Sequence, residues 1–220
     1  MQDKKLTLAA AALIAALPLL QACVPAVIAT GATVGVMSVQ DRRPTTVQTE
    51  DESIEWKARQ AVPERYAEAA HLNFTSFNRR LMITGEVPSD EARNAVGEQA
   101  AKVAGVKDVF NETTVGPAST LSVRSNDSYV TSKVKARLVD EKYLSANHIK
   151  VVTENGVTYL MGIVSEREAK LAVTIASRTD GVRKVVSLLE VMSDAEIKRR
   201  DTPPGAAKPA GTEPAPVENR

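Results

Sequence analysis

Cysteine occurs once in 220 residues, histidine twice, tryptophan once, and aromatic residues make up only 4% of the chain. A lone thiol, Cys23, excludes any disulfide within the chain and any zinc site built on paired cysteines. His71 and His148 show no metal-ligand spacing, and they occupy matching places in an internal repeat, so they read as framework positions. Nucleotide-type glycine-rich loops are missing too. No catalytic or metal-binding residue is therefore assigned, no cofactor is expected, and the chain reads as a non-enzyme. Net charge is almost absent at +1, and residues 1 to 22 carry two lysines against one aspartate, so a chain cut after them is formally neutral. General nucleic-acid binding relies on a large positive field and is not expected. What remains, 43% hydrophobic and 25% charged residues, suits small globular units.

Long apolar runs are also scarce. Lys4 and Lys5 precede one uncharged stretch, Leu6 to Leu20, which has the length of a signal-peptide core and falls short of the roughly 20 residues of a membrane span. It ends Leu20-Gln21-Ala22-Cys23, which resembles the bacterial lipobox. That resemblance implies cleavage after residue 22, a diacylglyceryl group on the Cys23 thiol and acylation of the new amine. Three acyl chains, at about 0.8 kcal/mol per buried methylene, hold a protein at a membrane without spanning it. The alternative is a chance thiol in an ordinary signal peptide or an uncleaved helix. Val24 stands where an aspartate resembles an inner-membrane retention signal, which favours outer-membrane sorting and a periplasm-facing protein. Residues 23–52 are expected as a lipidated N-terminus and linker. Within them Val24 to Val39 is uncharged, either a tether or a segment along the bilayer surface, and Asp41 to Glu52 is polar linker.

The strongest internal signal is a duplication. Asn78, Leu81, Gly85, Val87, Glu91, Ala92, Arg93, Ala95 and Val96 match Asn155, Thr158, Gly162, Val164, Glu168, Ala169, Lys170, Ala172 and Val173 at one offset of 77 residues, too long for a solenoid repeat. Each copy reads as αββαβ, an α+β unit with two helices on one face of a three-stranded mixed sheet. Domain 1 is expected over 53–116, with a first helix starting after Asp51 or Ser53, strands Ala70 to Phe77 and Arg80 to Val87, a Ser89-capped helix to Val103 and a strand Val106 to Val115. Trp56 is expected in a core or a domain interface. Residues 117–125 read as a linker. Domain 2 is expected over 126–192, with Asn126 or Asp127 capping its first helix, a hairpin turning at Glu154-Asn155-Gly156, a Ser165 capping box and a strand Arg183 to Met192. Gly85 and Gly162 sit inside strands, where glycine marks a bulge or a helix passing close above; Gly105 and Gly181 stop helices. The Pro-rich residues 193–220 are expected to be disordered.

On the first helix of domain 2, Val130, Val134 and Leu138 form the stripe that faces the sheet. Tyr129, Lys133, Ala136, Arg137 and Asp140 recur beside it, placing a ring and two cations on one outward strip. Such a strip suits a bilayer interface, with the ring at headgroup depth and the cations on phosphates. It equally suits a solvated face whose tyrosine packs against the end of the sheet.

Residues 53–192 resemble two BON domains, and Ser125-Asn126-Asp127-Ser128-Tyr129, Val152-Thr153-Glu154-Asn155-Gly156, Leu160-Met161-Gly162 and Ser165-Glu166-Arg167-Glu168-Ala169-Lys170 are similar to the second domain of dual-BON outer-membrane lipoproteins. The resemblance implies anionic phospholipid binding through the first helix of domain 2, support of envelope integrity, a place at division sites and association with outer-membrane assembly machinery. By position it implicates Tyr129, where the family often has a membrane-inserting tryptophan, together with Thr131, Ser132, Lys133, Val134, Arg137 and Leu138. Two other classes stay open: an envelope scaffold acting through protein contacts, and a cell-wall hydrolase.

Overall fold

The computed structural model describes residues 41–202. Cys23, the lipobox and the signal segment lie outside the described residues, as does the tail from 203 onward. In domain 1, helix α1 (Thr45–Gln60) and a one-turn helix α2 (Glu64–Ala67) precede strands β1 (His71–Phe77) and β2 (Arg80–Val87), helix α3 (Asp90–Ala101), and strands β3 (Asp108–Asn111) and β4 (Thr114–Val115). Domain 2 repeats the pattern with α4 (Leu121–Val139), β5 (Ile149–Glu154), β6 (Val157–Ser165), α5 (Glu166–Ser177) and β7 (Lys184–Met192), and a further helix α6 (Asp194–Asp201) follows. Each sheet is mixed: β1 and β2 pair antiparallel and β3 runs parallel to β2, while β5 and β6 pair antiparallel and β7 runs parallel to β6.

The period of two along the central strands explains how the domains join. On β2, Leu81 and Ile83 enter a core under α1 and α3, whereas Met82 points to the opposite face. On β6, Leu160 and Val164 pack under α4 and α5, whereas Tyr159, Met161 and Ile163 point away. These two far faces meet, and Phe77, Met82, Tyr159, Met161, Ile163, Leu188 and Ile197 form one core shared by both domains. Burying such side chains contributes about 1.5 to 3 kcal/mol each. Each domain thus adds to its own core a further one held in common with its neighbour.

The glycines inside the strands answer to a backbone, though the neighbour is not a helix. A Cβ on Gly85 would lie 1.9 Å from the His71 carbonyl oxygen, and one on Gly162 would lie 2.3 Å from that of His148. The matching histidines thus stand where their carbonyls cross the adjacent strand. Gly105 and Gly181 follow helices α3 and α5 at φ of +96° and +94°, the left-handed stop expected of them.

Several boundaries differ from the sequence reading. The supposed linker Asp41 to Glu52 is structured: α1 begins at Thr45, and the Arg42 side chain is only 3% exposed. Its guanidinium donates to the Ile163 carbonyl, to both Glu168 oxygens and to both Asp201 oxygens. That clasp helps order α6, where disorder was expected from residue 193, and Ser193 caps α6 by accepting from the Glu196 amide. The 117–125 linker is helical from Leu121, capped by Thr120. Consequently Asn126 and Asp127 lie within α4, and neither caps it. The last strand of domain 1 is broken between β3 and β4, where the Asn111 side chain accepts from Thr113 Oγ1 at 2.6 Å and donates to the Arg93 carbonyl at 2.8 Å. Trp56 is 64% exposed and belongs to neither a core nor the domain interface.

Candidate membrane-docking face and the interdomain cluster

Helix α4 owes its fixed orientation to four buried residues, Asp127, Val130, Val134 and Leu138. The carboxylate is the unexpected member. Asp127 accepts from the backbone amides of Asn155 at 2.8 Å and Gly156 at 2.9 Å, closing the β5–β6 turn against the helix. Val134 and Leu138 are 0% exposed. They are core residues and offer nothing to a membrane, which corrects their place among the lipid-contacting positions.

The outward face carries the rest. Tyr129 is 63% exposed, and the Lys133 ammonium lies 4.8 Å from its ring centroid. Lys133 also reaches Asp180 at 3.2 Å, but that carboxylate is fully exposed, so the pair is the kind that other anions can exchange with. Arg137 donates to the Arg178 carbonyl at 2.6 Å and to Thr179 Oγ1 at 3.3 Å, a cation at the end of α5 where the helix dipole favours one. The residue nevertheless remains exposed. Gly181 brings the α5–β7 connection close under this strip, since a Cβ there would lie 2.7 Å from Val130 and 3.5 Å from the Lys133 ammonium. Ser132 is exposed and donates to the Ser128 carbonyl, while Thr131 turns toward a cavity of about 420 Å³ shared with His71, Asn73, Arg124, Asp127 and Glu154. Sequence reasoning missed the first turn of α4, where Leu121 is 76% exposed and Val123 is 38% exposed. The Thr120 cap was the available signal, and the later Asn126-Asp127 pair obscured it.

A second polar cluster lies where the domains meet. His71 Nδ1 stands 3.0 Å from Glu86 Oε2 and 3.9 Å from Glu154 Oε1. Asn73 of domain 1 donates to Glu154 at 2.8 Å, and Asn155 of domain 2 donates to Glu86, so the two carboxylates are held across the junction. The Ser119 amide adds a bond to Glu86 Oε2 at 3.0 Å. Burial pushes both carboxyls up, and the outcome differs. Glu86 ends below the ordinary carboxylate range because Ser119, His71 and Asn155 outweigh burial, whereas burial prevails at Glu154 and raises it. Spacing in the chain gave no hint of this group, because the fold alone brings its members together.

The family model for the BON domain matches residues 50–117 and 126–193. The outer membrane lipoprotein DolP of Haemophilus influenzae is 35% identical over 184 residues, covering 83% of this chain and 95% of that one. A 21 kDa hemolysin of Actinobacillus pleuropneumoniae is 28% identical over 151 residues, 68% of this chain and 78% of that protein. Neither name is that of an enzyme. A structural protein of the type III secretion system of Chlamydia trachomatis covers 72% of this chain and 99% of its own at 15% identity and a TM-score of 0.27, too low to carry an argument. Among the described residues no helix is long and apolar enough to cross a membrane. The chain belongs to the BON-domain family, as a DolP-like outer-membrane lipoprotein with two such domains.

Proposed function

We propose that this protein is held at the outer membrane by acyl groups on Cys23 and docks on anionic phospholipid through the outward face of α4, and that this placement supports envelope integrity. One observation carries the reading: the Tyr129 ring stands 63% exposed with the Lys133 ammonium 4.8 Å from its centroid, on a helix whose other side is locked in the core. A rigid helix loses little freedom on docking, a ring seats at headgroup depth, and Lys133 and Arg137 meet phosphate. Leu121 and Ser132 extend the same helix surface, whereas Val123 stands seven residues before Val130, on the side of the core stripe, and Thr131 turns toward the interdomain cavity. Outer-membrane assembly machinery and division-site proteins are the partners the family likeness suggests.

Sedimentation with vesicles tests this directly. A chain starting at residue 23 with Cys23→Ser carries no acyl anchor and is expected to bind vesicles containing phosphatidylglycerol, more weakly as salt rises. Equal binding to neutral vesicles, or undiminished binding by a folded Tyr129→Glu variant, would refute the docking face.

A second reading has one observation in its favour. Trp56 is exposed on the first helix of domain 1, and exposed tryptophan is a frequent anchor of protein contacts. On that reading domain 1 recruits an envelope protein, and in-cell crosslinking through position 56 would recover it even from a Lys133→Glu, Arg137→Glu chain.

A further inference from the structure

We propose that His71, Glu86 and Glu154 form a zinc site that ties the two domains together. Their ligand atoms lie within 4.8 Å of one another. A tetrahedral zinc with nitrogen and oxygen ligands at about 2.0 to 2.2 Å separates those ligands by about 3.4 Å, so closure onto the ion needs side-chain movements of about an ångström. The donor set is one imidazole and two carboxylates, which zinc accepts and which leaves a fourth position for water.

Four features support a built site over a chance grouping. First, the carboxylates are nearly inaccessible, with Glu86 at 5% and Glu154 at 8% side-chain exposure. Two buried negative charges face a single imidazole, and a divalent cation would balance them where one proton cannot. Second, partners outside the ligand set orient them: Asn73 holds Glu154 Oε2 and leaves Oε1 toward His71, while Asn155 holds Glu86 Oε1 and leaves Oε2 toward it. Such outer contacts are what fix metal ligands in place. Third, Ser119, whose amide donates to Glu86 Oε2, has a buried hydroxyl without a protein partner, a polar group suited to a metal-bound water. Fourth, His71 and Glu154 line the cavity of about 420 Å³ beside them, which gives an ion a way in.

Both domains supply ligands, His71 and Glu86 from the first and Glu154 from the second. Ion binding would therefore stabilise the junction as well as the local cluster. The two histidines provide an internal control, because His148 occupies the matching place in domain 2 without being part of the cluster.

The test uses the mature acylated chain in detergent, stripped with a chelator and titrated calorimetrically with zinc chloride. One equivalent is expected, with a higher thermal midpoint on binding. Glu154→Gln and His71→Gln are expected to abolish the event, His148→Gln to retain it, and Asn73→Ala to weaken it about 10-fold. Substitution of zinc by cobalt(II) supplies a visible absorption that reports an ordered coordination sphere even where a variant is destabilised. Absence of saturable binding by the wild-type chain would overturn the proposal. So would one-equivalent binding that survives in folded Glu154→Gln or is lost only in His148→Gln.

Discussion

The two domains are the same backbone written twice, and they differ most where the backbone does not care. Asp51 in α1 and Asp127 in α4 are both buried, and both accept from amides of the hairpin turn that follows. Those turns, Asn78-Arg79 and Asn155-Gly156, both have positive φ at each central residue, as tight hairpins require. One step outward the likeness ends. Ile54 and Ala58 in α1 correspond to Val130 and Val134 in α4, all buried, but Ser53, Trp56 and Ala61 stand where α4 has Tyr129, Ser132 and Arg137. Framework residues are thus shared, while each domain carries its own surface.

The framework aspartates give the largest expected effect. Asp51 accepts four bonds, from Ser76 Oγ, the Asn78 and Arg79 amides and the Arg43 guanidinium, whereas Asp127 accepts two amides. A buried donor left without its partner costs about 1 to 3 kcal/mol. Asp51→Ala should therefore lower stability by about 4 kcal/mol and Asp127→Ala by about 3 kcal/mol in denaturant titration. Because Met82, Tyr159, Met161 and Ile163 share one core, each variant should still melt in a single transition. Two separate transitions would show that the shared core does not couple the domains.

Next in size is the clasp, which domain 2 has and domain 1 lacks in this form. Arg42→Ala removes the guanidinium from the Glu168 and Asp201 carboxylates and the Ile163 carbonyl, and leaves Glu168 the Ser165 amide. Breaking a fully buried pair costs about 3 to 5 kcal/mol, but the Asp201 side chain is 41% exposed, so about 2 to 3 kcal/mol is expected after solvent screening. Amide exchange should speed up chiefly in α6. Unchanged protection there would mean that Ile197 in the shared core holds the helix without the arginine.

The same clasp sets an acid limit. Burial pushes Glu168 up, but the hydrogen bonds from Arg42 and the Ser165 amide leave it below its ordinary value; at Asp201 the bond from Arg42 dominates and lowers it. For depressed carboxyls the stabilisation is complete above their unfolded values near pH 4 and disappears as pH falls through the lower folded ones. Wild type should thus lose stability below about pH 4 faster than Arg42→Gln does. Parallel acid profiles would place the titrating groups elsewhere.

How much of this was legible in the sequence follows the same division. The offset of 77 residues exposed the repeat, the Ser165 capping box and the Asn-Gly turn placed α5 and the β5–β6 hairpin, and the apolar period placed Val130, Val134 and Leu138 in the core. Asp51 and Asp127 were misread as helix caps, because a helix-capping aspartate and one that caps a neighbouring turn look alike in a sequence. Arg42 and the His71, Glu86 and Glu154 cluster were invisible for a different reason: their partners are far away in the chain, and no local pattern encodes them. Resemblance carried Val134 and Leu138 into the lipid-contacting set against the helical period, and the period was the better guide.

The smallest effect on stability is also the one that separates the two domains by task. Trp56 and Tyr129 are exposed rings on the first helices of their domains, so replacing either by glutamate should change stability by no more than about 0.5 kcal/mol. Their effects on vesicle binding should nonetheless differ. Tyr129→Glu puts a carboxylate beside Lys133, removes the ring from the interface and repels anionic headgroups, and binding should fall at least about tenfold, a difference of 1.4 kcal/mol. Trp56→Glu lacks an equivalent of Arg137, since Ala61 occupies that position, and vesicle binding should stay within about twofold of wild type. Equal losses from the two substitutions would mean that both first helices meet the bilayer together and that the basic strip of α4 is not what sets the docking side.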